Sequence, residues 1–251
     1  MSPEQARPVV VTGAGGGIGA AIVTELSAAG HPVLATDHSL EAAERTAAAV
    51  AAGDVAATTM DITDPASVRA ALEFGVARFG ALGGVVNNAG WMEPRPLGDT
   101  DDAFLRTIVA INLEGPMRVC REALPHLQAH GAGRIVNIAS DGARSGMSNT
   151  SAYSAAKGGV LALTRCLALE LARDAVTVNC VSPGPTDTPL LTATVDAADG
   201  ASIVERLSRS VPLRRLATPA DVAGAVRYFC SDAAAYVTGQ TVSVSGGLVR
   251  T

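Results

Sequence analysis

Short apolar runs alternate with longer amphipathic segments along most of the chain. Runs at 9–11 and 134–139 are typical of buried strands, because nearly every position is apolar. Between such runs, apolar residues recur every four positions, as at Ile18, Ile22 and Leu26, which predicts helices. Further strands are predicted at 32–36, 56–60, 84–86, 176–181 and 241–244. Strands that alternate with helices predict a doubly wound, seven-stranded parallel α/β sheet with helices on both faces.

Length and composition favour one globular domain over 1–251. The 251 residues are 48% hydrophobic and 17% charged, which suits one large core, and no linker divides the chain. Helices are predicted at about 40–52, 65–79, 101–129, 152–173 and 219–230. From 190 to about 216 the pattern is irregular, with one short amphipathic piece at Ile203, Val204 and Leu207. A long insertion after a strand's carboxyl end predicts a substrate lid in this type of fold.

Charge and cysteine usage exclude several classes of function. The net charge is −5 without a basic run, which disfavours nucleic acid and anionic membrane as partners. The first eight residues are polar, and no apolar stretch reaches 18 residues, so we expect a cytoplasmic protein. Four scattered cysteines and four scattered histidines lack metal-ligand spacing, so we expect reduced core thiols and no metal.

A glycine-rich loop follows the first strand. The segment 12–19 reads T-G-A-G-G-G-I-G and leads directly into a predicted helix. Glycines permit a tight turn and a close approach of the backbone, and a helix N-terminus attracts phosphate. The glycine run alone would also fit a turn that binds no ligand. The order of strand, loop and helix, however, is the order that a dinucleotide site requires.

The second strand ends in Asp37, about 20 residues after the glycine loop. An acid at this place can accept a hydrogen bond from a ribose 2′-hydroxyl, and its charge would repel an additional 2′-phosphate. Neither Gly16 nor His38 supplies a permanent positive charge, and no Arg is placed to accept a 2′-phosphate. The sequence therefore favours NAD over NADP. The alternative is that Asp37 only caps the helix that begins at Leu40.

A tyrosine and a lysine lie four positions apart, at Tyr153 and Lys157. On a helix they share one face, and an ammonium beside a phenol lowers the pKa of the phenol towards working pH. Tyr153 is thus a candidate general acid or base. Ser140, after the strand at 134–139, is placed to bind the same substrate oxygen. Because surface Tyr–Lys pairs at this spacing are common, the interpretation depends on the neighbouring motifs.

Together these motifs resemble the short-chain dehydrogenase/reductase family in its single-domain form, over nearly the whole chain. The family's glycine motif T-G-x-x-x-G-x-G is matched by Thr12, Gly13, Gly17 and Gly19, and its N-N-A-G by 87–90. The positions of its catalytic tetrad hold Asn112, Ser140, Tyr153 and Lys157. The resemblance implies further cofactor contacts at Ile18, Asp61, Ile62, Asn88, Gly90, Pro183, Gly184 and Thr188. Of these, Asp61 and Ile62 would lie beside the adenine, and the last three around the nicotinamide carboxamide.

The family's activity is reversible hydride transfer between a nicotinamide and a secondary alcohol or ketone. By resemblance, Tyr153 would exchange a proton with the substrate oxygen, Ser140 would hold that oxygen, and Lys157 would also bind the nicotinamide ribose. The family usually forms tetramers, so a homotetramer with a small-molecule substrate is implied.

Two alternatives stay open, namely an inactive relative used for cofactor sensing or assembly, and a reductase of 3-oxoacyl thioesters on acyl carrier protein or coenzyme A. Segments around Trp91, Asp141, Pro183 and Leu248 resemble a subgroup that acts on 2-hydroxycyclohexanecarboxyl coenzyme A and related alicyclic alcohols.

The helix predicted at 101–129 contains Asn112 and, four positions later, Pro116. In an α-helix the carbonyl of residue 112 would accept from the amide of residue 116, which proline lacks. We therefore expect a kink, with the Asn112 carbonyl open to a water. In the family the matching Asn holds a water that links the active-site Lys to solvent. The alternative is a bend that serves only packing.

Overall fold

All seven predicted strands pair in one parallel sheet. The computed structural model describes residues 6–193 and 200–250. The strands are β1 (Val9–Thr12), β2 (Val33–Asp37), β3 (Val55–Thr59), β4 (Gly84–Asn87), β5 (Arg134–Ile138), β6 (Thr177–Pro183) and β7 (Thr241–Val244). Their order is β3-β2-β1-β4-β5-β6-β7, and Val9 of β1 is paired with Val33 on one side and Gly84 on the other. The order reverses between β1 and β4, which opens a crevice at the carboxyl ends of the strands.

Helices cover both faces of the sheet. They are α1 (Gly17–Ala28), α2 (Leu40–Ala49), α3 (Pro65–Phe79), α4 (Asp102–Val109), α5 (Gly115–His130), α6 (Gly142–Ser145), α7 (Ser151–Glu170), α8 (Pro189–Ala193), α9 (Gly200–Ser210) and α10 (Pro219–Cys230). Local sequence explains where several of them begin. The Asp64 side chain accepts from the first amides of α3, and Thr218 forms a reciprocal capping box with Asp221 at the start of α10.

The strands supply both cores because their alternate residues point to opposite faces. Val10 and Ile135 belong to the core under α3, α5 and α7, whereas Val9 and Val136 belong to the core under α1 and α10. Burial on both faces explains why the strands read as continuous apolar runs rather than as alternating patterns.

The long helix predicted at 101–129 is interrupted at Asn112. Between α4 and α5 lies a π-helical turn, Ala110–Glu114, in which the amide of Gly115 donates to the carbonyl of Ala110. Pro116, which has no amide, stands in the first turn of α5. The α-helical geometry is therefore interrupted around Asn112. The expected kink itself stays a prediction. That a water binds the Asn112 carbonyl stays a prediction.

The region expected to be irregular, 190–216, contains two helices where it is described. The amphipathic piece expected at Ile203, Val204 and Leu207 lies on α9. The expectation of irregular structure is wrong at α8 and over the rest of α9. Residues 194–199, which fall in the predicted lid, lie outside the described residues. Within the described ranges, no helix combines the length and the apolar character needed to cross a membrane. The cytoplasmic location stays a prediction.

Candidate active site

A cleft of about 1120 Å³ lies at the carboxyl ends of the strands. It is lined by most of the residues that the sequence singles out, namely Gly13, Gly17, Ile18, Asp37, Asp61, Ile62, Asn88, Gly90, Ser140, Tyr153, Lys157, Pro183, Gly184 and Thr188. Gly19 and Asn112 are not among its lining residues. They pack behind it and position residues that do line it.

The glycine loop and the segment after β4 approach each other too closely for side chains. A Cβ on Gly13 would lie 2.7 Å from the Ala89 Cα, and one on Gly19 would lie 2.0 Å from the Gly13 carbonyl oxygen. The Asn88 side chain joins the two segments by donating to the carbonyls of Thr12 and Gly13, at 3.0 and 2.9 Å. Asn88 therefore supports the loop, and α1 begins beside it at Gly17. This cradle fits a dinucleotide phosphate.

Asp37 is held at the end of β2 with both oxygens engaged. Its Oδ2 accepts from the Gly15 amide at 2.9 Å, and its Oδ1 accepts from the Ser39 amide at 3.1 Å and lies 2.8 Å from His38 Nδ1. The side chain that caps α2 is Ser39, which accepts from the Ala42 amide. The interpretation of Asp37 as only the cap of this helix is therefore wrong. Its carboxylate faces the cleft instead.

One expectation about this end of the cleft is corrected. Arg45 of α2 lines the cleft together with Asp37 and His38, although no Arg was expected near a 2′-phosphate. The Arg45 guanidinium lies 2.7 Å from the Glu41 carboxylate, one turn earlier on α2. Spacing along α2 carries no signal for this position, because an Arg there is also typical of an exposed helix face.

Asp61 and Ile62 follow β3 at the predicted adenine end. Asp61 Oδ1 accepts from the hydroxyl and the amide of Thr63, at 2.7 and 2.8 Å, and these bonds lower the pKa of the Asp61 carboxyl. Ile62 packs against α5, where a Cβ on Gly115 would lie 2.6 Å from the Ile62 Cδ1. The pair thus forms one wall of the cleft.

Ser140, Tyr153 and Lys157 meet where β5 ends and α7 begins. Burial raises the pKa of Tyr153 to about 12, while its hydrogen bond with Ser140 acts in the opposite direction. Sequence spacing predicts a lowered pKa for Tyr153, so the direction expected from the Lys alone is wrong. The reason is burial of the phenol. Lys157 Nζ donates to the Ile138 carbonyl at 2.9 Å and lies 5.9 Å from the centre of the Tyr153 ring.

Lys157 is the only lysine in the sequence; the other 18 of the 19 basic Lys and Arg residues are arginines. It is buried, and burial lowers the pKa of its amine to about 8, an effect that nearby Cys180 opposes. An arginine at this place would stay charged under all conditions and needs more hydrogen-bond acceptors. A lysine supplies one compact charge, and the surroundings of its amine can shift the pKa of that amine.

Asn112 uses its side chain to hold the loop after β4. Its Oδ1 accepts from the Trp91 amide at 3.1 Å, and its Nδ2 donates to the carbonyls of Trp91 and Ile108, at 2.7 and 3.0 Å. A Cβ on Gly90 would lie 3.0 Å from Asn112 Oδ1 and 3.3 Å from Lys157 Nζ. The side chain of Asn112 therefore places Gly90 and Trp91 beside the buried lysine.

Pro183 ends β6, and Gly184 and Thr188 follow it on the other side of the cleft. The Gly184 amide donates to the Val244 carbonyl at 3.0 Å, and a Cβ on Gly184 would lie 2.7 Å from the Ser245 Cβ. The Thr188 hydroxyl accepts from the Leu191 amide at 3.2 Å at the start of α8. Thr188 lies opposite the glycine loop, since a Cβ on Gly17 would be 3.5 Å from it.

The substrate end of the cleft combines residues from the segments that resemble the alicyclic-alcohol subgroup, such as Trp91 and Leu248, with residues that belong to no motif. Large apolar side chains from several elements meet there: Trp91, Met92, Met147, Leu190, Leu191, Leu207 and Leu248. Periodicity along the chain cannot bring these distant segments together. One charged residue, Asp141, also lines this region beside Ser140.

Comparisons with known proteins agree with this geometry. A family model described as "Enoyl-(Acyl carrier protein) reductase" matches residues 13–249. The chain belongs to the short-chain dehydrogenase/reductase family. It is 40% identical to cis-4-hydroxycyclohexanecarboxylate dehydrogenase of Sinomonas cyclohexanicum, with 96% of each chain covered. It is 35% identical to cyclohexanol dehydrogenase of Acinetobacter sp. (strain SE19), over 96% of this chain and 94% of that one.

A solved short-chain dehydrogenase/reductase structure, that of levodione reductase, superimposes with a TM-score of 0.92 at 33% identity, covering 96% of both chains. Acetoacetyl-CoA reductase of Acinetobacter sp. (strain RA3849) is 33% identical over 98% of both chains. As a member of this family, the chain is an oxidoreductase that interconverts a secondary alcohol and a ketone. The family's cofactor is NAD or NADP.

Proposed function

We propose that the protein is an NAD(H)-dependent dehydrogenase of alicyclic secondary alcohols in which Ser140, Tyr153 and Lys157 act at the reacting carbon–oxygen bond. One observation carries this proposal: the three side chains line the same cleft as the glycine loop and Asp37. Hydride transfer needs the substrate oxygen beside a proton donor and the reacting carbon beside the cofactor at the same time.

The nicotinamide, when bound, supplies the hydride acceptor or donor. In alcohol oxidation the Tyr153 phenolate takes the hydroxyl proton while the hydride leaves the carbon, and in ketone reduction the phenol returns that proton. Ser140 holds the substrate oxygen, since its hydroxyl is close enough to the Tyr153 hydroxyl to lower the pKa of that phenol. Lys157 favours the phenolate by its charge, and it offers the same amine to the nicotinamide ribose.

NAD is preferred because Asp37 offers acceptors to the ribose hydroxyls and repels a 2′-phosphate. Its carboxylate is fixed by the amides of Gly15 and Ser39, so it cannot turn away from an additional negative charge without losing both bonds. Arg45 acts against this preference, but Glu41 already neutralises it. The choice between NAD and NADP therefore depends on the opposing charges of Asp37 and Arg45.

The apolar substrate end supports an alicyclic alcohol as substrate. Leu190, Leu207 and Leu248 line the region beyond Ser140, and Trp91 is held against Phe104 with ring centres 5.8 Å apart. Two relatives named above act, by their names, on substituted or unsubstituted cyclohexanols. A 3-oxoacyl thioester is the second candidate, because one relative is named an acetoacetyl-CoA reductase.

We also infer a homotetramer and a lid. Met117 of α5 and Leu169 of α7 are exposed on the two helices through which the family assembles, and Tyr236 is fully exposed in the closing segment. Light scattering at micromolar concentration tests this, and a monomer would contradict it. α8 and α9 supply Leu190 and Leu207 to the cleft wall, which supports the role of 190–216 as the lid over a single domain.

The test replaces Tyr153 with Phe, which keeps the ring and removes the proton donor. We expect oxidation of cyclohexanol with NAD to fall by about 100-fold or more, the scale of general acid–base catalysis. Tyr228→Phe is the matched control, because that side chain is partly exposed on α10 and is not among the residues that line the cleft. Acetoacetyl-CoA is assayed in parallel. Turnover that survives Tyr153→Phe unchanged would refute the catalytic assignment, and turnover of the thioester alone would favour the second candidate.

A further inference from the structure

His38 is a titratable side chain at the cofactor end of the cleft that the proposed chemistry does not use. It directly follows Asp37 at the end of β2, and both residues line the cleft. The side chain of His38 is 88% exposed, whereas that of Asp37 is 11% exposed. Histidine is the residue type whose charge normally changes between about pH 5 and 8. A proton on His38 therefore changes the charge at this end of the cleft.

The imidazole lies against the carboxylate that is proposed to hold the ribose. His38 Nδ1 is 2.8 Å from Asp37 Oδ1, an oxygen that also accepts from the Ser39 amide at 3.1 Å. The other oxygen, Oδ2, accepts from the Gly15 amide at 2.9 Å. The main chain thus fixes Asp37, while the ring beside it stays open to the cleft. In this position a charged imidazole offsets the charge of Asp37, and a neutral imidazole does not.

Two charged side chains of α2 stand beside this pair. Arg45 lines the cleft together with Asp37 and His38. Its guanidinium lies 2.7 Å from the Glu41 carboxylate, so the charge of Arg45 is already offset. Because arginine keeps its charge at every pH near neutrality, Arg45 cannot make the choice of cofactor depend on pH.

A second acid, Asp61, approaches the imidazole from the segment after β3. Hydrogen bonds from Thr63 are the main reason that the pKa of the Asp61 carboxyl is lowered, and the charges of His38 and Arg118 lower it further. Arg118, on α5, donates to the Ile62 carbonyl at 2.6 Å. While His38 is neutral, the three acids at this end outnumber the two arginines, so a 2′-phosphate meets net repulsion.

We propose that His38 is a second specificity-determining residue for the cofactor, whose protonated imidazole offsets Asp37 and bonds the 2′-phosphate of NADP, so that the preference for NAD weakens as the pH falls. Hydrogen bonds between a protonated histidine and a phosphate are charge-assisted, and they are stronger than neutral ones. At higher pH the neutral imidazole leaves Asp37 unopposed. The inference rests on the proposed binding of the adenosine ribose at Asp37 and adds a pH dependence to it.

The test compares two nucleotides that differ only in the 2′-phosphate, adenosine 2′,5′-bisphosphate and adenosine 5′-monophosphate. Isothermal titration calorimetry measures their affinities without turnover. In the wild type, the affinity for the bisphosphate relative to the monophosphate should rise by about fivefold or more between about pH 8 and pH 6, which is about 1 kcal/mol. At about pH 7, titrations in buffers of different ionisation enthalpy should show that the bisphosphate draws a proton onto the protein.

His38→Asn is the decisive variant, because it keeps a polar side chain beside Asp37 but cannot gain a proton. The phosphate itself gains a proton over the same pH range, so this variant also supplies the reference for that effect. His38→Asn should show less than half of the wild-type change in relative affinity and a smaller proton uptake. His38→Arg, with a permanent charge, should favour the bisphosphate at both pH values. His126→Asn removes a histidine of α5 that is not among the lining residues and should behave as the wild type.

The outcomes separate this inference from the proposed catalysis. The same pH dependence in wild type and His38→Asn would overturn the role of His38, whatever the alcohol turnover. Absence of binding of both nucleotides would overturn it together with the cofactor assignment. The expected pH dependence of binding without any turnover of alcohols would overturn the proposed function alone.

Discussion

The two ends of the cleft are built in different ways. At the cofactor end, main-chain atoms approach within contact distance, and polar side chains such as Asn88 and Asp37 bond to the backbone of neighbouring segments. At the substrate end, apolar side chains from α8, α9 and the closing segment form the wall. Close backbone contact tolerates few residue types, whereas a side-chain wall can be built in many ways. Substitutions at the cofactor end should therefore be tolerated less often than substitutions at the substrate end.

This difference also explains what the sequence can predict. All seven strands are predicted to within two residues, because buried parallel strands are continuous apolar runs. The glycine motif points to its own function, since only glycine fits where a Cβ at position 19 would lie 2.0 Å from a carbonyl. Asn88 and Asn112 are recognised by resemblance, but their contacts with Thr12 and Trp91 join segments far apart in sequence.

The features that the sequence does not predict depend on where side chains point in the folded protein and on how deeply they are buried. Helical spacing places Lys157 on the same face as Tyr153, but it does not predict that the Lys157 amine donates to the Ile138 carbonyl. Burial then reverses the expected direction of the Tyr153 pKa. Similarly, Arg45 has the pattern of an exposed helix residue and still reaches the cleft wall. The full length of α9 is not predicted, because only three apolar residues mark it.

The largest effect is expected from adding one methyl group at the cofactor end of the cleft. Gly19→Ala places a Cβ against the Gly13 carbonyl and the Asn88 amide, and backbone atoms cannot move away as a flexible side chain can. We expect a loss of roughly 1–3 kcal/mol in the free energy of unfolding, as for other overpacked sites. The KM for NAD should rise by about 100-fold, because the phosphate cradle is displaced. Thermal unfolding and cofactor titration measure the two effects.

Gly224→Ala is the matched control for this experiment. Gly224 lies in α10, which packs against α1, and a Cβ there meets no atom within 4 Å. Both substitutions raise helix propensity by about 1 kcal/mol, so Gly224→Ala should leave the protein equally or more stable. If the two variants behave alike, close backbone approach is not what makes Gly19 necessary.

The second prediction concerns Lys157, where the two ends of the cleft meet. Oxidation needs the Tyr153 phenolate, so its kcat/KM should rise with pH. Lys157→Met removes the positive charge that favours the phenolate, and the inflection should therefore move to higher pH by at least one unit. kcat should fall by about 100-fold near neutral pH. A movement to lower pH in a folded variant that still binds cofactor would remove Lys157 from this role.

The single lysine allows its pKa to be observed directly. Protein labelled with [ε-¹³C]lysine should give one side-chain signal, with a midpoint near the value of about 8 that burial imposes. Because this pKa lies below the value of about 10.4 in the unfolded chain, the unfolded state binds more protons between these values. The stability of wild type should therefore rise over that pH range, and Lys157→Met should lack the rise. A signal that titrates like free lysine would contradict the burial.

The smallest expected effect sharpens the account of cofactor choice. Wild type should prefer NAD over NADP by at least tenfold in kcat/KM, a difference of about 1.4 kcal/mol. Asp37→Ala removes the acceptor for the ribose and the charge that repels a 2′-phosphate, so the preference should fall below about threefold. Arg45 then becomes the cation available to that phosphate, and adding Arg45→Ala should lower the use of NADP again without affecting NAD. Arg45→Ala alone should leave NAD kinetics unchanged, because Glu41 already engages the guanidinium. Equal use of the two cofactors by wild type would show that Arg45 outweighs Asp37. The choice between NAD and NADP would then not follow from the sequence motif at the cofactor end, although the backbone contacts there are close.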